Sequence, residues 1–164
     1  MNPEFRVIGL LLPLALGACG QSPHPIDQQL SGLRPVTVAP LKGMDWPAGT
    51  LLCPMTLYQS ELYATAPVAE RVNAFLKRKK FVGEEGRWTL IVVEPDTVGD
   101  DGIEHLFFKR GNYDVISSAE VLRKTAETVP AAFAPDECVP AERARVLATR
   151  SRGIARTLIS FGTE

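Results

Sequence analysis

Five carboxylates fall within eleven residues, Glu94, Asp96, Asp100, Asp101 and Glu104, with no basic side chain among them. Oxygen-rich loops of this kind can hold calcium. The EF-hand register fails, however: counted from Asp96, the third position is Val98 and the sixth is Asp101, where a glycine is required. A solvated hairpin loop turning at Asp101-Gly102 accounts for the same residues, so no metal ligand is assigned. His105 follows directly and is the one histidine inside the expected domain. Histidine-dependent hydrolysis would have to use it, with Asp101 and either Ser60 or Ser117 completing a nucleophilic set. No G-x-S-x-G elbow accompanies them, and a lone histidine opening a strand is more often a surface or core residue. No catalytic residue is assigned, and a small periplasmic hydrolase using His105 and the 94–104 loop stands as the alternative reading.

Lys77, Arg78, Lys79 and Lys80 form a basic patch in a chain whose net charge is only −1. A solvated helix end explains it; contact of Lys77, Lys79 and Lys80 with anionic headgroups, glycan or an acidic partner is the functional alternative. No nucleic acid is expected, because aromatic residues do not interleave with the cations. Gly83-Glu84-Glu85-Gly86 is too short and too acidic to cradle phosphate, and no nucleotide-binding glycine motif occurs. No cofactor is implied.

These groups have to be placed by a chain of 164 residues, 45% hydrophobic and 23% charged, enough for one domain with a core. Its first residues stand apart. Val7 to Ala18 is an apolar run preceded by Arg6. As a helix it would reach about 18 Å, short of a bilayer core of about 30 Å; it reads as the apolar region of a secretion signal. Leu16-Gly17-Ala18-Cys19 then resembles the lipobox of bacterial lipoproteins. The resemblance covers about twenty residues and implies a signal peptide at 1–18, a Cys19 that becomes N-terminal and acylated, and a membrane anchor. Gly20, in place of Asp, implies the outer membrane, with the domain facing the periplasm.

In an exported chain the two remaining cysteines, Cys53 and Cys138, most simply form a disulfide. Two free thiols or a metal site are the alternatives. The pair lacks CxxC spacing, and His24 and His105 are the only histidines to assist it.

Gly20 to about Pro35, rich in Gln, Ser, Pro and Gly, reads as a tether, and Lys42–Gly49 as a further loop carrying Trp46-Pro47. The domain proper starts near Val36 or Thr50, so residues 19–48 are assigned to the lipidated N-terminus and flexible tether and 49–164 to one globular domain. Thr50–Tyr58 is β-prone, with Pro54 arguing for an edge strand or bulge. Thr65 caps a helix carrying Val68, Val72, Phe75 and Leu76 at helical spacing, closed by Lys77–Lys80. Arg87–Glu94, Ile103–Lys109 and Tyr113–Ile116, with short links, predict an antiparallel meander over 87–117. Ser117 and Glu120 predict a capping box opening a helix that stops at Pro130. Pro140 opens a last helix to Ser160, with Ala144, Leu147, Ala148, Ser151, Ile154, Ala155, Leu158 and Ile159 as its apolar stripe. Its opposite face would present Thr149, Gly153 and Thr157, edged by Arg145, Arg152 and Arg156, small enough for close approach by a partner.

The expected class is α+β, a mainly antiparallel sheet covered on one face by about three helices, with one disulfide. The expected function is that of a membrane-anchored, non-enzymatic protein-binding module, by layout a secretion-machine accessory subunit or an immunity protein. A purely structural outer-membrane lipoprotein is a further alternative.

Overall fold

The computed structural model describes residues 24–164. The secretion signal and Cys19 lie outside the described residues. The order is α1 (Pro25–Gly32), β1 (Thr37–Pro40), β2 (Leu51–Met55), α2 (Ala69–Arg78), β3 (Arg87–Val93), β4 (Ile103–Lys109), β5 (Tyr113–Val115), α3 (Ala119–Thr125), β6 (Ala134–Pro135), β7 (Val139–Pro140), β8 (Arg145–Arg150) and β9 (Thr157–Thr163). The class is α+β, with three helices and two sheets.

One sheet has the order β4-β3-β2-β7; the other has β1-β8-β9-β5, with β6 continuing beside β9. All pairings are antiparallel except β5 with β9. The two sheets meet face to face. Trp88, Leu90 and Val92 of β3 alternate into one cluster with Val146, Ala148, Ile159 and Phe161 of the other sheet, the period of two that a pleated strand imposes. The intervening β3 residues Ile91 and Val93 face outward, under Val72, Phe75 and Leu76 of α2. Leu147 and Leu158 face outward from the second sheet, under Leu122 of α3. The layers run helix, sheet, sheet, helix, so the expected covering of a single sheet on one face becomes one helix on each outer face.

The meander holds only in part. β3 and β4 form the antiparallel hairpin, but the third strand leaves the sheet and pairs with β9 in parallel. Arg110-Gly111-Asn112 is thus a crossing between sheets. α2 starts later than Thr65, at Ala69 with no side-chain cap; Thr65 Oγ1 donates to Glu137 Oε2 instead, at 3.1 Å. Ser118, not Ser117, caps α3 by accepting from Val121 N.

The largest correction concerns 140–160. No helix forms there: a single 3₁₀ turn, Ala141–Arg143, leads into the β8–β9 hairpin, which turns at Gly153 with φ 76°. Both strands are buried on both faces, and such strands read as nearly unbroken apolar runs that also satisfy a helical stripe. Gly162 belongs to this tight packing, since a Cβ there would lie 2.3 Å from Ala134 O.

The segment expected as a tether is also corrected, in its described part. Ile26 and Leu30 of α1 are buried in the inter-sheet core, His24 Nδ1 accepts from Ile26 N at 3.2 Å as an N-cap, and β1 pairs with β8. Pro54 lies within β2, an inner strand, but β7 pairs only with Leu51 and Leu52. From Cys53 onward that side of β2 is free, as a proline needs. The Cys53–Cys138 disulfide is formed, with Cα atoms 4.2 Å apart, in the core beneath α2.

Candidate binding surfaces

His105 lies on the outer face of β4, ringed by Phe81 at 4.7 Å, Phe107 at 4.1 Å and Phe75 at 6.4 Å between centroids. Its Nε2 is buried without a hydrogen-bond partner among the described residues, and burial pushes the imidazole down from 6.5 to about 4. It is neutral at neutral pH, in a setting of hydrocarbon. The serines considered with it are engaged elsewhere: Ser60 Oγ accepts from Gly83 N at 3.0 Å, and Ser117 Oγ donates to Gln59 Oε1 at 2.9 Å. In the fold, neither serine hydroxyl is hydrogen-bonded to the imidazole.

The 94–104 loop is held by α2. Arg71 donates to Gly99 O at 2.9 Å and Thr97 Oγ1 at 2.7 Å, and also to Asp101 O. Arg78 pairs with Asp100, and its hydrogen bonds hold that carboxyl below the usual range. The basic helix and the acidic loop, read separately from sequence, are thus partly each other's partners. Lys77, Lys79 and Lys80 remain exposed. Lys79 Nζ sits 5.6 Å from the Phe75 ring centroid, and Lys80 takes φ 51° to end the helix, a position where glycine is more usual.

The residues assigned to an outer helical face are dispersed. Thr149 is fully buried and donates to Thr128 O at 2.6 Å, so it cannot meet a partner. Arg145, at the other end of β8, pairs with Glu164 at 3.0 Å. Arg152 Nε donates to Ala126 O at 2.7 Å. Gly153, Arg156 and Thr157 do converge, on a cleft of about 530 Å³ beside the β8–β9 turn. There Arg156 is structural: it donates to Gly111 O at 2.9 Å and, with Arg110, clamps Asp114. Burial alone would raise the Asp114 carboxyl, but hydrogen bonds from Arg156 and Arg110 outweigh it and hold it low.

Trp46 lies in the Gly- and Pro-containing stretch ahead of β2, where sequence pattern alone marks no site. At the opposite end of the sandwich from the β8–β9 turn, it stands between two clefts. One, about 250 Å³, includes Leu41, Met44, Pro47 and Glu142; the other, about 240 Å³, includes Val92, Glu94, Ile103 and Glu104. The indole is part-buried against the inter-sheet core and part-exposed. A lone tryptophan within a Gly- and Pro-rich stretch was the available signal, since nothing in the periodicity there required a large ring. Among the described residues no three His, Cys, Asp or Glu side chains are grouped to hold a metal ion, and no helix is long and apolar enough to cross a membrane. Comparison with known protein families, curated proteins and solved structures finds no match to this chain.

Proposed function

We propose that this chain is an envelope lipoprotein, anchored by acylated Cys19 in the outer membrane and facing the periplasm, whose domain binds another protein without catalysing a reaction. The lipobox residues and the disulfide, which belongs to an oxidising compartment, support the location. One observation carries the binding role: Trp46, mostly buried but reaching two clefts whose lining includes Glu94, Glu104 and Glu142. Tryptophans seated this way dominate protein interfaces, because a large rigid ring is desolvated at little entropic cost. The acidic rim selects a partner with a basic face. A component of a secretion machine and a toxin delivered to the periplasm both fit that description.

A photo-crosslinking residue in place of Trp46 tests the role in intact cells, with the same residue at exposed Val121 on α3 as control. One dominant adduct from position 46, absent from 121 and suppressed when Glu94 and Glu104 are reversed to Lys, is the expected outcome. No adduct from 46, with the acylated protein present at normal abundance, would leave a structural lipoprotein as the better reading.

A further inference from the structure

The chain comes into the described fold at His24, whose ring stands 5.4 Å from that of Phe108. Asp27, one turn later, accepts from Tyr113 OH at 2.6 Å. Phe108 and Tyr113 flank the β4–β5 crossing, and Tyr113 pairs with Thr157 at the base of the β8–β9 turn. One end of the sandwich therefore holds the incoming chain, the crossing and that turn; Trp46 and the acidic loop mark the other end.

Most of the large hydrophobic side chains exposed among the described residues lie at the incoming end. They are Val36 before β1, Tyr58 after β2, Val82 and Phe107 around one shallow cleft, and Ile154 on the β8–β9 turn. Val98 is exposed at the far end, Val121 on α3 and Tyr63 in the connection before α2. Charged groups of both signs stand among the first group. Arg87 is paired at 3.5 Å with Glu84, which lines the same cleft as Val82 and Phe107, and Glu127 lines the cleft beside Ile154. Lys109 and Arg150 are exposed and in no ion pair among the described residues. Exposed apolar groups collected at one end mark an interaction surface. A mixture of aromatic, aliphatic and cationic side chains suits the headgroup layer, where rings and alkyl groups sit below the phosphates and cations at them.

We propose that this end of the domain rests on the lipid surface that holds the chain's own anchor, with Phe107, Val82 and Ile154 entering the headgroup layer and Lys109 and Arg150 meeting lipid phosphates. The proposal builds on the reading of Cys19 as acylated. Five backbone steps separate Cys19 from His24, a reach of at most about 18 Å when fully extended. The incoming end is thereby confined to the neighbourhood of the bilayer, while the Trp46 end is directed away from it and left open to a partner.

A matched pair of reporters tests the orientation. Val82 and Val98 are exposed valines, at 69% and 78%, placed at opposite ends. With Cys53 and Cys138 bridged and Cys19 acylated, V82C and V98C each offer one thiol for an environment-sensitive fluorophore. The full mature lipoprotein is reconstituted in vesicles of phosphatidylethanolamine and phosphatidylglycerol, with and without brominated acyl chains. The label at 82 should be blue-shifted and quenched by brominated lipid, the label at 98 should be neither, and adding F107D and K109E should release the label at 82 into water. Equal behaviour of the two labels, with acylation verified by mass, overturns the orientation while leaving the anchor intact. An aqueous label at 82 in pure vesicles that becomes shielded in native membranes overturns it in favour of a protein cover. Absence of acyl mass on the recovered protein would instead remove the anchor reading itself.

Discussion

Among the rings of Phe75, Phe81 and Phe107, the imidazole of His105 loses hydration that nothing replaces. The folded chain therefore resists protonating it until about pH 4, whereas its ordinary value is 6.5. Between those two values the unfolded state binds the extra proton, so stability tied to this group is complete above about 6.5 and falls as pH drops towards 4. His105→Phe should flatten that part of the acid dependence. Because the ring is only half-buried, the difference between wild type and variant should stay below about 2 kcal/mol, discounted for solvent screening. Urea midpoints for both proteins across that range check it; an equally steep acid loss in the variant would assign the effect elsewhere. At Gly153 the backbone decides. Its φ is 76°, and a Cβ there would meet nothing within 4 Å, so Gly153→Ala loses only conformational energy, about 1–2 kcal/mol. Gly153→Asn should lose less, since asparagine tolerates that region. If Ala stabilised the protein, the turn would be misplaced and the helical expectation restored.

The elements that sequence reasoning located are those where one local rule decides. β3 combines β-branched and aromatic residues over a strand's length, and α2 spaces Val72, Phe75 and Leu76 for one buried face; α3 is found as well, but it ends at Thr125, ahead of the stop expected at Pro130. Those it misread are decided by distant partners. Nothing near Tyr113–Val115 specifies a parallel pairing with Thr157–Ile159, more than forty residues away. The β8–β9 run fits both periodicities, and only burial on both faces selects the strand. The candidate surfaces were hidden for the same reason, because Val82 and Phe107 share a cleft, and Ile154 comes to the same end, only after the sheets close. The disulfide was legible because, of the three cysteines, the lipobox reading sets Cys19 aside and leaves one pairing. It ties β2 to the start of β7 across a separation of 85 residues. On the chain-entropy view, such a loop is worth roughly 4–5 kcal/mol. Replacing both cysteines by Ala should therefore lower the melting temperature by about 8–20 °C, at about 2–4 °C per kcal/mol for a chain this size, as calorimetry would show. A shift of only a degree or two would mean that the β2–β7 pairing holds by packing alone.

At the scale of the whole molecule, the question is where the folding unit begins, and the two answers differ by some twenty-five residues. Composition places the boundary near 49, since the preceding stretch has too little apolar periodicity to look folded. Yet Ile26 and Leu30 are wholly buried between the sheets, closing the gap between edge strands β4 and β5, and Asp27 accepts a hydrogen bond from the hydroxyl of the buried Tyr113. β1 covers the edge of β8, which without it would offer a row of unpaired amides to other chains. Burying Ile26 and Leu30 contributes about 1.5–3 kcal/mol each, and further losses follow from β1, the tyrosine bond and the Trp46 contact. Together these approach the whole stability of an ordinary domain, about 5–15 kcal/mol. A chain from 24 to 164 should unfold cooperatively in urea, with a single sharp transition by both tryptophan fluorescence and circular dichroism. A chain from 49 to 164 should bind a hydrophobic dye, aggregate through β8 and show no cooperative transition. If the shorter chain unfolded with the same midpoint and slope as the longer one, α1 and β1 would be passengers on a finished fold. The short reach from Cys19 to the domain, on which the proposed orientation at the membrane depends, would then lengthen by the whole of that segment.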